Sequence, residues 1–271
     1  MTMPTTRATE RRPRRSRPHH EAAVFRAVKD EPMAPVYGIH FQDELPERKE
    51  PHLEGYRGLV PVRVGNEAWK QRQNDIYGSV VLAATQMFYD KRLVAPGDET
   101  AFRRLERCGE AAYKSFDQPD AGLWELRGRT SVHTYSAVMC WVACDRLARI
   151  AGWLKLEQRA RFWHRRADRI RGIVLKHAVH KDGYFVESFG SEDLDASLLL
   201  LEGLRFVEAS DPRFVKTVEM VGSKLMRGEF LLRYAHPDDF GAPETSFLVC
   251  NFWYVEALIA IGRKDEARQL F

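Results

Sequence analysis

Long apolar runs, paired cysteines and metal-binding histidine spacings are all missing from this 271-residue sequence, and each absence excludes a class of protein. No stretch approaches the roughly 20 apolar residues of a membrane-spanning helix; the longest candidate, Ser197–Leu201, is far too short, so no membrane partner is expected. Cys108, Cys140, Cys144 and Cys250 form no CxxC pair, which argues against a disulfide framework and a zinc site. They read as small buried hydrophobes in a reducing, cytoplasmic setting. The nine histidines contain no HExxH and no paired i, i+4 constellation, so no catalytic metal and no cofactor are expected. GxSxG, a Walker loop and GxGxxG are also missing, which leaves triad hydrolysis and nucleotide chemistry without support.

A basic excess is missing too, once its source is located. The net charge of +4 is carried by the first 20 residues, where six arginines (Arg7, Arg11, Arg12, Arg14, Arg15, Arg17) face one acid, Glu10. The remainder is close to neutral, which gives no footprint for nucleic acid or an anionic surface. Residues 1–38 read as a disordered Arg/Pro-rich tail and residues 39–271 as one folded unit. With 44% hydrophobic and 11% aromatic residues, that unit has material for a sizeable core.

What is present is helical periodicity. Ile76, Val80, Leu82, Ala83 and Met87 recur at helical spacing within 67–93, and Phe102, Leu105, Ala112, Tyr113 and Phe116 do so within 98–117. Further helices are expected at 133–151, 156–178, 192–208, 212–226 and 246–260, with another beginning at Lys264. Strand signals are few and short, at 123–126, 183–188 and 230–234, and suit hairpins or loops on one rim. The expectation is an all-α array of about eight helices in sequential hairpins. No strict repeat marks a solenoid, so closure into a helical barrel is favoured.

Three loops carry more aromatic and charged residues than connectors need. In 117–132, Trp124 precedes Glu125 and Arg127 follows. An indole against a carboxyl desolvates it and raises its pKa toward that of a general acid; the alternative is an exposed Glu125 paired with Arg127 while Trp124 packs inward. In 233–252, Glu244 stands before an apolar helix, whose dipole would keep it ionised as a base needs, or which it merely stabilises. Two carboxyls in opposite environments are what glycoside hydrolysis uses. In 52–67, Tyr56, Arg57, Arg63 and Asn66 offer groups for sugar hydroxyls or for holding the rim. Tyr184, Glu187, Ser188 and Phe189 are further pocket candidates, and Ser191, Asp193 and Asp195 look as much like helix capping.

Together HLEGYRGLVPVRVGN, NDIYG, GLWELRG, HTYSAVMCWVACDR, GYFVESFGSEDLDASLLLL and ETSFLVCNFWYVEAL resemble, in order, glycoside hydrolase family 15, the glucoamylases and bacterial trehalases. The resemblance covers about residues 40–271. It implies an (α/α)6 toroid-type helical barrel and hydrolysis of α-glucosides with inversion, with Glu125 as general acid and Glu244 as general base. It implies Tyr56, Arg57, Trp124, Arg127, Asp195 and Arg233 as substrate-binding positions and an α-glucoside or oligosaccharide as partner. Two departures are Ala137 where relatives carry a lysine, expected at the pocket rim, and Glu187 where a glutamine is usual. Members also carry an N-terminal β-sandwich and further helices, so the chain reads as an incomplete barrel. Its exposed apolar faces offer a surface for self-association, and an inactive helical binding module is the competing expectation.

Overall fold

In the computed structural model, residues 33–271 are described except Phe41, Val94, Ala95 and Phe240. The expectation of a disordered tail falls almost wholly outside the described residues. Met33, within its last part, is buried against the core.

Among the described residues there are seven α-helices. Helix α1, Asp75–Tyr89, and α2, Glu99–Ser115, make the first hairpin. The Asp98 side chain caps α2 by accepting from the Ala101 N–H at 2.8 Å, and Phe102, Leu105, Cys108 and Ala112 form its buried stripe. Helix α3, Thr134–Trp153, is buried on nearly every side, from Ala137 to Leu147, because α1, α2 and α4 all pack on it. Helix α4, Glu157–His177, buries only Trp163, Ala167, Ile170 and Val174, one stripe at helical spacing, and leaves an arginine-rich face to solvent. Then come α5, Pro212–Leu225, capped by Asp211, and the hairpin of α6, Leu248–Ala260, with α7, Lys264–Leu270.

Two contacts fix how these helices cross. A Cβ on Gly78 of α1 would lie 2.1 Å from the Met139 carbonyl oxygen of α3, so the backbones meet where no side chain fits. Glu106 of α2, buried, accepts from Trp163 Nε1 at 2.7 Å and Arg159 Nε at 2.6 Å on α4, pairing a buried charge with the charge-assisted bonds it needs.

Among the described residues, strands are limited to the two-residue pairs β1 (Arg48–Lys49) with β2 (Arg63–Val64) and β3 (Met226–Arg227) with β4 (Phe230–Leu231), beside a few isolated bridges. The Cys140 and Cys144 thiols are fully buried in α3, and burial pushes the latter up to about 12.

Three expectations need correction. The helix expected over 67–93 begins only at Asp75. Residues Glu67–Lys70 form a separate 3-10 turn capped by Asn66, and the Asn74 N–H is diverted to the Asp120 carboxylate at 2.7 Å. Over 192–208 there is no α-helix but a 3-10 turn, Ala196–Leu200. Asp195 is extended and bridged to Tyr234, and the Ala196 N–H bonds the Arg233 carbonyl at 2.8 Å, so long-range pairing outcompetes helix at its start. The Leu198–Leu201 run is mostly buried, apart from the half-buried Leu200, and signals burial rather than one helical face. Finally, 123–126 is a tight turn rather than an extended piece.

Candidate active site

The loop after α2 is closed at its neck by Asp120 and Ser131, whose backbones exchange N–H to O bonds of 3.0 and 3.1 Å. Inside it the chain turns sharply. Gly122 has φ 67°, with the His133 ring so close that a Cβ would meet it at 2.8 Å, and Glu125 itself has φ 57°. The Glu125 and Leu126 N–H groups bond back to Gly122 and Ala121, Leu126 is buried as an anchor, and Gln71 Nε2 donates to the Glu125 carbonyl at 3.1 Å. A glutamate in the left-handed region is uncommon, and here the turn displays its side chain to solvent.

Trp124 turns the other way. Its Nε1 donates to Asp195 Oδ2 at 2.7 Å, and its ring packs against Tyr234 (6.2 Å between centroids), Trp253 of α6 (6.0 Å) and the Arg233 guanidinium (5.8 Å). The indole therefore does not bury Glu125, which is exposed. Nor does Arg127 pair with Glu125: its guanidinium bonds Glu47 at 3.0 Å, while its N–H bonds Asp239 Oδ2 at 2.7 Å. The site candidates Trp124, Asp195 and Arg233 are brought together. Tyr56 and Arg57 are in an exposed 3-10 turn, with Arg57 over the Tyr56 ring at 5.2 Å.

Glu244 is exposed in the loop that follows Tyr234, four residues before α6. The cap of α6 is Phe247, which makes no side-chain bond, so Glu244 is not the residue that satisfies the helix N-terminus. The Glu244 loop is nevertheless bound to the Glu125 loop. Arg127 meets Asp239, and Tyr234 Oη donates to Asp238 at 2.7 Å. His236, stacked on Tyr234 at 4.5 Å, bonds Glu187 Oε2 at 2.7 Å, and Arg129 lies 3.5 Å from the same carboxylate. Burial works against a charged His236, but the bond to Glu187 outweighs it and raises its pKa. Ala137, expected at the rim, is fully buried within α3.

Beneath the Glu125 loop lies a floor of buried polar groups: Asp75, Asp120 and His133. Burial first, then the charges of Asp120 and Glu125, push Asp75 up to about 7; burial likewise raises Asp120 and lowers His133. Asp195 is pushed up to about 7 by burial, with Glu187 adding to it and the bonds from Ser197 and Trp124 opposing. Sequence reasoning noted Asp75 only as following the 52–67 loop and His236 only among the histidines without metal-binding spacing, and passed over Asp239 and Trp253. Asp75 and Trp253 lay inside the quoted motifs; the loop residues His236 and Asp239 had no local signal.

The sequence pattern of the glycosyl hydrolases of family 15 matches residues 19–271. A trehalase of Mycobacterium tuberculosis is 39% identical over 242 residues, which cover 88% of this chain and 35% of that protein. Trehalase 1 of Sulfolobus acidocaldarius is 35% identical over 236 residues, 87% of this chain and 40% of that one. The chain thus spans between a third and two fifths of the length of these curated relatives. Among solved structures, a wild-type glycosidase superposes with a TM-score of 0.64 at 20% identity, covering 79% of this chain and 57% of its own. A bacterial glucoamylase complexed with acarbose gives 0.56 at 15%, covering 76% and 36%. At these identities the likeness speaks for the fold alone, and the helical hairpins described above are an incomplete (α/α)6 barrel.

Proposed function

Because this chain belongs to the glycosyl hydrolases of family 15, we propose that it forms the catalytic part of an enzyme that hydrolyses α-glucosidic bonds with inversion, Glu125 acting as general acid and Glu244 as general base. One observation carries the reading: the loop displaying Glu125 is bound to the loop carrying Glu244 through the Arg127 N–H on Asp239, and to the helix that follows it through Trp124 packing on Trp253. Glu125, as the acid, protonates the glycosidic oxygen. Glu244, as the carboxylate, takes a proton from water attacking the opposite face, an arrangement that uses carboxyls about 6.5–9.5 Å apart. Trp124 and Arg233 supply an aromatic wall and a cation for the sugar, with Tyr56 and Arg57 at the outer rim. Arg127 supports the loop from behind, through Glu47 and Asp239.

The matched relatives described above are trehalases, which makes trehalose the first substrate to test, ahead of maltose and starch-type oligosaccharides. Neither a nucleic acid nor a membrane has a role in this reading, and four buried free thiols fit a cytoplasmic location.

A second reading is favoured by the outer face of α6 and α7. Leu248, Phe252, Ile259 and Phe271 are 59%, 52%, 48% and 86% exposed there, and each Å² of apolar surface left in water costs about 25 cal/mol. On that reading the chain self-associates, or serves as an inactive binding module. Glucose release from trehalose, maltose and soluble starch separates the two. Activity that falls by about 10²–10⁴-fold in both Glu125→Gln and Glu244→Gln supports the hydrolase. A folded chain that releases no glucose, or variants that keep full activity, would refute it.

A further inference from the structure

We propose that Asp195 is a positioning residue that acts on the reaction only through Trp124, by holding the indole against Tyr234, Trp253 and Arg233, and that it makes no contact with sugar. Its surroundings leave it no other task. Asp195 is 4% exposed, and both carboxyl oxygens are taken: Oδ2 accepts from Trp124 Nε1 at 2.7 Å and Oδ1 from Ser197 Oγ at 2.6 Å. Its backbone is bridged to Tyr234, and the next residue bonds Arg233. One short segment thereby fixes the indole and two of the three residues it packs against, Tyr234 and Arg233. Trp124 is in turn the neighbour of Glu125, so the ring's setting decides where the left-handed turn presents that carboxyl. A partly buried N–H···O bond of this length fixes the ring's setting more tightly than packing alone, because breaking it leaves a buried carboxyl oxygen of Asp195 without its partner.

The groups that face the carboxyl are Trp124 and Ser197, bonded to it, and Glu187, Tyr135 and Cys250 within electrostatic reach. His236 stands behind Glu187. Two substitutions separate positioning from sugar binding. Asp195→Asn keeps an oxygen for Trp124 and an N–H₂ for Ser197 while removing the charge; Asp195→Leu keeps the size and removes both partners.

The effect on turnover rests on the hydrolase reading, so the test has a second arm that does not. Tryptophan emission, taken as wild type minus Trp124→Phe, isolates Trp124 from the other tryptophans. It is expected to change with pH around a midpoint of about 7, with the change gone in Asp195→Asn. A pH step that survives in Asp195→Asn overturns the assigned bond whether or not the chain is active. In the kinetic arm, kcat/KM is expected to fall about 10–100-fold in Asp195→Leu and only about threefold in Asp195→Asn, with Asp195→Leu/Trp124→Phe no worse than the poorer single variant. Equal losses in Asn and Leu, or losses that multiply in the double variant, overturn the proposal. If no α-glucoside is turned over, the hydrolase reading fails and the emission arm alone decides.

Discussion

Replacing Glu125 with glycine is expected to stabilise this protein. Glu125 has φ 57°, its side chain is exposed, and its charge adds to the penalty on the buried Asp75. A non-glycine residue in the left-handed region costs about 1–2 kcal/mol. Glycine removes that cost but loses about 0.5–1 kcal/mol more chain entropy on folding. Glu125→Ala removes the charge and keeps the backbone penalty, so the glycine-minus-alanine difference isolates the backbone. It should favour glycine by about 0.5–1 kcal/mol, the reverse of the order on an ordinary surface, and at this size should appear as roughly 1–4 °C in melting temperature. Thermal melts followed by circular dichroism, with urea unfolding as a check that m is unchanged, measure it. Alanine equal to or more stable than glycine would show that the turn is not left-handed and that Glu125 carries no backbone strain.

Two further outcomes follow from the same structure. Asp75, raised to about 7 from 3.8, binds its proton more tightly folded than unfolded, so its contribution is fully present below about pH 4 and is lost progressively as pH rises from there through 7; Asp75→Asn should raise the melting temperature by several degrees at pH 8 and by little at pH 4, and an equal shift at both would contradict the assignment. Gly78→Ala forces a Cβ to within 2.1 Å of a backbone oxygen and should destabilise by about 2–4 kcal/mol, while Gly152→Ala, in α3 with nothing within 4 Å, should stabilise by about 0.5–1 kcal/mol; urea titrations compare them, and the same sign for both would refute the crossing geometry.

The parts of the fold legible in the sequence are those whose signal is local. The stripe Phe102, Leu105, Cys108, Ala112 and the stripe Trp163, Ala167, Ile170, Val174 state their helices and the faces they bury. The failure at 192–208 has the opposite cause: Asp195 is held by Trp124 and Tyr234, and nothing near it in sequence announces partners 71 and 39 positions away. The two loops singled out for their aromatic and charged residues do meet in space. The environment expected for Glu125 did not survive, because Trp124 serves Asp195 and Arg127 serves Glu47, and neither long-range choice leaves a mark in the residues around Glu125.

The most direct test of the central claim, acid–base hydrolysis with inversion by Glu125 and Glu244, is the anomeric form of the first product. Trehalose joins two α-glucosyl units through one oxygen, so attack by water on the opposite face turns one unit into β-glucose and releases the other as α-glucose. Proton NMR of the purified chain with trehalose, read before mutarotation, should show the two anomers rising together in equal amounts, and Glu125→Gln and Glu244→Gln should each abolish both signals. Two molecules of α-glucose, or no glucose from a folded chain, would contradict the account.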